Sequence, residues 1–270
     1  MTAETEIISH LGVDPVMKRL IAAAGPFTFE SREDHSPYEA LARAIAHQQL
    51  NGKAAQSILN RFVTTCGQGI FPPPEGLLAL KDAALRASGF SFSKIAALRD
   101  LATKTLSGIV PVRDALHALG DPEIIERLTA VRGVGRWTVE MLLMFQLRRP
   151  DVLPVDDFGV RQGFRLAYGL RKMPEPKVLA LFGERWAPYR SAAAWYLWRA
   201  VDLSRAGRLP PPGETVKLPR LPRKRRKAAG KRLRKLKRAA ASAAPRTRSG
   251  ARTRARRPPA RQSHAPRKKK

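Results

Sequence analysis

The 270 residues are enough to bury a substantial core as one or two domains, and 51 Lys/Arg against 22 Asp/Glu give a net charge of +29. The single cysteine, Cys66, excludes a disulfide framework and a cysteine-ligated metal cluster within the chain. No run of about 18 apolar residues offers a membrane span, and the opening MTAETEIISH lacks the basic start and apolar stretch of a signal peptide, so a soluble intracellular protein is expected.

In chain order the pattern is helical almost throughout. SPYEALARAIAHQQL opens on Ser36 as N-cap, Pro37 at the first helical position and Glu39 closing a capping box, with Leu41, Ile45 and Gln48 at helical spacing. A second helix restarts at Asn51 and stops at Gly67, and a third begins at the serine cap of SFSKIAALRDLATKTLSG and ends at Gly108. Asp121 and Pro122 start PEIIERLTAV, which is expected to end near Val131. After the GVG turn, RWTVEMLLMFQL reads as an apolar helix, and PEPKVLALFGERW and PYRSAAAWYLWRAVDLSR supply two more. VLPV, 152 to 155, is a short strand candidate at best. This predicts an all-α domain over 1–206. Beyond it, 207–270 is rich in Pro, Ala, Arg and Lys with few large apolar side chains, so no core can form there and a disordered tail is expected. From Lys217 to Lys270 there are 24 Lys/Arg and no Asp/Glu, which leaves the body with 27 basic against 22 acidic residues. The tail is therefore either a polyanion binder or a solvated appendage.

AVRGVGRWTVEM raises the functional question. Two glycines between helices leave backbone N–H groups bare at a helix start, where the dipole and close backbone approach suit a phosphate. A plain helix–helix connection explains the same residues. About twenty residues on, VLPVDDFGVRQGF places Asp156 and Asp157 where another helix begins. One carboxylate can cap that helix while the other faces a ligand.

LTAVRGVGRWTVEMLLMF followed by VLPVDDFGVRQGF resembles the helix-hairpin-helix and aspartate loop of the base-excision DNA glycosylase superfamily, in its alkylation-repair branch of DNA-3-methyladenine glycosylase II. ALARAIAHQQLNGKAAQSI, LRASGFSFSKIAALRDLA and ERWAPYRSAAAWYLW extend the likeness from about Ser36 to Arg199, in the same order. The resemblance implies two helical lobes with a cleft between them. It implies Asp157 as catalytic carboxylate, Asp156 as its helix-capping neighbour, and a phosphate grip from Gly133, Val134, Gly135 and Thr138. It also implies a monovalent cation, Na⁺ or K⁺, on the carbonyls of Thr129, Val131 and Gly133, with no cofactor required. The wedge that fills the hole left by an extruded base falls at HQQLN, with Gln49 or Leu50 as the inserted side chain and Gln48 beside it. Trp137 stands where bifunctional members carry a lysine nucleophile, so no Schiff base and no strand nicking are expected. One cysteine cannot replace the four that ligate an iron-sulfur cluster in other branches. About 35 residues before Ser36 leave no room for the branch's leading α/β segment, so a compact version is expected.

The chemistry follows from the substrate. A buried glycosidic bond is reached only by flipping the nucleotide out, at a cost of a few kcal/mol. An alkylated purine is cationic, leaves readily, and is attracted by aromatic faces, about 0.5–2 kcal/mol per well-placed ring. Trp137, Phe158 and Trp198 are the candidate walls, while Trp186 and Trp195 read as core. One carboxylate then suffices to stabilise the cation-like sugar and to orient water. His35, His47 and His117 form no metal-ligand spacing and fall at helix ends or on the surface. The expected activity is monofunctional hydrolysis of alkylated purines in double-stranded DNA by a monomer, in the nucleoid-associated cytoplasm of a bacterial host and without membrane contact. The basic tail is expected to attract DNA phosphates. A glycosylase of the same fold for 8-oxoguanine or a mismatch, or a non-catalytic hairpin DNA-binding protein, are the competing readings.

Overall fold

The computed structural model describes residues 3–28, 35–213 and 216–219, all helix, turn and loop with no strand among them. Thirteen helices run in the order α1 Ala3–Leu11, α2 Pro15–Ala24, α3 Pro37–His47, α4 Gly52–Gly67, α5 Pro74–Ala79, α6 Asp82–Ser88, α7 Phe92–Leu106, α8 Arg113–His117, α9 Asp121–Thr129, α10 Arg136–Phe145, α11 Phe158–Ala167, α12 Pro176–Gly183 and α13 Arg190–Arg205. A 3-10 turn, Glu184–Trp186, joins the last two. None of the described helices is long and apolar enough to cross a membrane.

The capping chemistry sets the helix starts. Ser36 accepts the Glu39 amide, Asn51 the Ala54 amide and Ser91 the Lys94 amide, each filling one of the donors a helix start leaves open. Glu39 turns its carboxylate to Arg43 and His35. Buried positions repeat at helical spacing; Tyr38, Leu41, Ala42, Ile45 and Ala46 of α3 make one apolar stripe.

Two lobes result. Helices α3 to α10 pack around α3, α7 and α10, whereas α1 and α2 cross to the C-terminal helices, α2 lying on α13 and α13 on α11. Asp14 caps α2 and accepts the Tyr168 hydroxyl at 2.6 Å, tying α2 to the end of α11. Phe164, Tyr168, Phe182 and Trp186 form the aromatic centre of this lobe, with Phe164 and Tyr168 stacked at 4.3 Å. A Cβ on Gly163 would sit 1.8 Å from the Leu197 carbonyl oxygen, so only glycine lets α11 and α13 approach this closely.

The strand candidate at 152–155 is irregular. The Val152 amide donates to Ser191 Oγ at 3.0 Å, and Asp151 holds Arg190 through two bonds of 2.7 and 2.8 Å. This segment is therefore fixed by side chains of α13 rather than by a sheet partner. Packing also continues past the boundary expected at 206, because Leu209, Val216 and Leu218 rest on the core and Arg19 donates to the Pro212 carbonyl. The expected disorder of the tail concerns residues that, from 220 on, lie outside the described ones.

Candidate functional site

The hairpin between α9 and α10 is built by local rules. Gly133 takes φ +78, the left-handed region that glycine occupies without a steric cost, and the Val134 amide closes the turn on the Val131 carbonyl at 3.0 Å. Gly135 precedes α10 with no side-chain cap, and the first helical bond is that from Val139 to Gly135. The amides of Arg136, Trp137 and Thr138 thus have no intrahelical acceptor, and with Gly135, Arg136 and Trp137 exposed the positive end of the dipole is a ready anion seat. Of the four residues expected to hold the phosphate, Gly133 and Gly135 are exposed and Thr138 lies in the first turn, 8% exposed. Val134 is corrected: it is a buried plug whose amide is used within the turn.

Two residues invisible as motifs anchor the hairpin from α7. Asp100 Oδ2 accepts the Arg132 amide at 2.7 Å, and Lys104 Nζ, paired with Asp100 at 2.7 Å, donates to the Ala130 carbonyl at 2.7 Å. Burial works against the Asp100 charge, but the Arg132 amide and the Lys104 ammonium outweigh it and hold the carboxyl below its usual range.

Asp157 caps α11, its Oδ1 accepting the Val160 amide at 2.7 Å. The capping role expected of Asp156 therefore falls to Asp157, and Asp156 is exposed. Two indoles reach the same carboxylate, Trp137 Nε1 at 2.8 Å from Oδ2 and Trp198 Nε1 at 2.9 Å from Oδ1. A Cβ on Gly159 would lie 2.8 Å from Trp198 Cδ1, so the bare backbone there gives the indole its room. Beneath Trp137, Glu140 is buried and paired with Arg136 at 2.8 Å. Burial raises the Glu140 carboxyl, Arg136 opposes the rise, and the charges of Asp156 and Asp157 add to it.

A cavity of about 1040 Å³ opens between α3 and α10, with Trp137, Met141 and Phe145 on one wall and Ala40, Ala44 and His47 on the other. Trp137, 47% exposed, is part of the cavity wall. Phe158 is not. It projects from α11, 71% exposed and away from the lining. Phe145 supplies the second aromatic, stacked on Trp198 at 5.9 Å and 24°, so Trp198 adjoins the cavity through Phe145 rather than lining it. The apolar run MLLMFQL gives no sign of this, because Phe145 reads as one more core residue there. Trp186 is core, 1% exposed, and Trp195 packs on Phe27 and Tyr196.

Gln48 and Gln49 also line the cavity. Gln49 sits at φ +58, an uncommon conformation for a side-chain-bearing residue, and Leu50 is 41% exposed, so both stand free at the loop tip. Gln48, expected beside the wedge, donates from Nε2 to the Gly133 carbonyl at 2.8 Å and so ties the loop to the hairpin. His47 and His117 end helices and His35 precedes one, and no group of three metal-ligating side chains occurs among the described residues.

A helix start open to an anion, beside a cavity whose Trp137 wall clamps a carboxylate, defines a helix-hairpin-helix protein with a carboxylate centre. The family model of HhH-GPD superfamily base excision DNA repair proteins matches residues 42–188, and the chain belongs to that superfamily. It is 44% identical to DNA-3-methyladenine glycosylase 1 of Schizosaccharomyces pombe over 206 residues, 76% of this chain and 90% of the relative. It is also similar to the solved S. pombe 3-methyladenine DNA glycosylase (Mag1) in complex with abasic DNA, with TM-score 0.67, 43% identity, and coverage of 74% of this chain and 98% of that one. A DNA-3-methyladenine glycosidase structure from Bacillus halodurans matches with TM-score 0.68 and 34% identity over 76% and 92%.

Proposed function

We propose that the protein is a monofunctional DNA glycosylase that hydrolyses the N-glycosidic bond of alkylated purines such as 3-methyladenine and 7-methylguanine. The observation that carries this is the Asp157 carboxylate, held by three N–H donors, one of them the indole of Trp137, which lines an aromatic cavity together with Gly133 and Thr138 of the hairpin. Hydrogen bonds on both oxygens keep the carboxylate oriented before substrate arrives, so no reorganisation accompanies the step. As the glycosidic bond breaks, its electron pair leaves with the cationic base, and the sugar acquires positive charge that Asp157 faces. Water adds at C1′ and gives up its proton, with the carboxylate orienting it or accepting that proton. Trp137 and Phe145 offer ring faces to the alkylated base, and the indole at position 137 supplies no amine for a Schiff base.

Gln49 and Leu50 would fill the space left in the duplex. The carbonyls of Thr129, Val131 and Gly133 would hold a monovalent cation that neutralises phosphate charge. Val131 and Gly133 each accept one N–H and keep a second lone pair, so such a cation would share those oxygens with Val134 and Gln48. The protein acts as a monomer in this reading, and its basic tail adds non-specific affinity for DNA.

The test is chromatography of bases liberated from methylated DNA. Free 3-methyladenine and 7-methylguanine are expected from the parental protein. Asp157→Asn, in which asparagine still caps α11, should bind lesion DNA and lose at least about 100-fold in rate. Excision by that variant at the parental rate would refute the assignment.

A further inference from the structure

Four contacts converge on α7 and on the loop between α3 and α4. The end of α3 leaves carbonyls without helical partners, and the bonds closing its turn are long, 3.4 Å from Gln48 to Ile45 and 3.3 Å from Leu50 to His47. Gln49, between them, holds a left-handed conformation that is strained for a residue with a side chain. A loop so weakly closed would relax unless something outside it held it. Lys94, in the first turn of α7, places its half-buried ammonium 2.6 Å from the Ala46 carbonyl. Farther along the same helix, Asp100 and Lys104 hold the hairpin, and Gln48 ties the loop to Gly133.

We infer that Lys94 is a positioning residue for base extrusion: by gripping the carbonyl end of α3 it fixes the backbone from which Gln49 and Leu50 project, and α7 makes that loop and the phosphate-binding hairpin one rigid piece. The inference rests on the proposed entry of Gln49 and Leu50 into the duplex. Lys94 touches neither base nor sugar; it acts through the loop.

The experiment is a double-mutant cycle in the full chain, read by the fluorescence rise of 2-aminopurine placed beside a tetrahydrofuran abasic analogue in duplex DNA. Leu50→Ala should slow or reduce the rise. Lys94→Met should do so about tenfold in the parental background and by less than twofold in the Leu50→Ala background, because an unheld loop no longer has a side chain to aim. Lys94→Arg, which still reaches a carbonyl with an N–H, should restore most of the signal, and Lys94→Gln enters the same cycle should the methionine variant not fold. Additive effects of Lys94 and Leu50 substitutions would overturn the inference alone. So would a fall of about 0.9 in the slope of log K against log salt for Lys94→Met, since that marks a phosphate ligand. A parental response from a Gln49→Ala, Leu50→Ala double variant would overturn both this inference and the reading of the loop as the wedge.

Discussion

At Asp157 one side chain serves two purposes, because the geometry that caps α11 also presents both oxygens to the indoles of Trp137 and Trp198. Hydrogen bonds to a charged group contribute about 1.5–3 kcal/mol each, so orientation by an indole is a measurable quantity. Trp198→Phe keeps the ring stacked on Phe145 and removes only the donor; single-turnover excision is expected to slow by about tenfold, with near-parental affinity for abasic DNA. A parental rate would show that Val160 and Trp137 suffice. Asp100 makes a prediction of opposite kind. Its folded carboxyl lies below the ordinary value, so the stability it contributes is full above about pH 4 and is lost as pH falls through the lowered value. Thermal melts should show Asp100→Asn less stable than the parent at pH 7, with the gap closing in strong acid. The carboxylate pair was legible because acidic residues at a helix start are few in chemical purpose. Which of the two caps was not, since a shift of one position leaves the sequence pattern unchanged. Asp100, Lys94 and Gly159 carry no pattern at all; the Arg132 amide, the Ala46 carbonyl and the Trp198 indole that they meet lie far along the chain.

Helices whose starts bear a Ser or Asn cap and whose apolar residues recur every three or four positions were readable to within about two residues, as α3, α4 and α7 show, and α10 was readable from the glycine turn before it. The short α5, α6 and α8 were not, for five to seven residues span too few turns to display a period and all three begin without a side-chain cap, after Pro73, Lys81 and Val112. The same limit applies to segment 152–155, whose alternation reflects contacts to Ser191 and not a sheet. Element packing yields its own test at Gly163. A methyl group there meets the Leu197 carbonyl, so Gly163→Ala should separate α11 from α13 and cost about 3 kcal/mol in denaturant unfolding. Because Asp157 begins α11 and Trp198 lies on α13, excision should suffer beyond the stability loss; a variant as active as the parent at equal folded fraction would contradict that coupling.

For the molecule as a whole, composition separated a mildly basic body from a strongly basic end, but the place of the division was set by packing. Leu209, Val216 and Leu218 rest on the core, so a cut intended to remove only the basic segment belongs after Leu221. That truncation is expected to leave excision nearly intact and to flatten the salt dependence of DNA binding by about 0.9 for every phosphate the tail neutralises. An unchanged slope would remove the tail from DNA binding. The crossing of α1 and α2 onto α13 carries a further consequence for biosynthesis. The first two helices leave the ribosome about 180 residues before their partner, so they must wait, unpaired, while the central helices that bear the hairpin can already collect their own contacts. The lobe that carries the hairpin can assemble early, and the lobe that carries Asp157 is completed only once α13 has emerged.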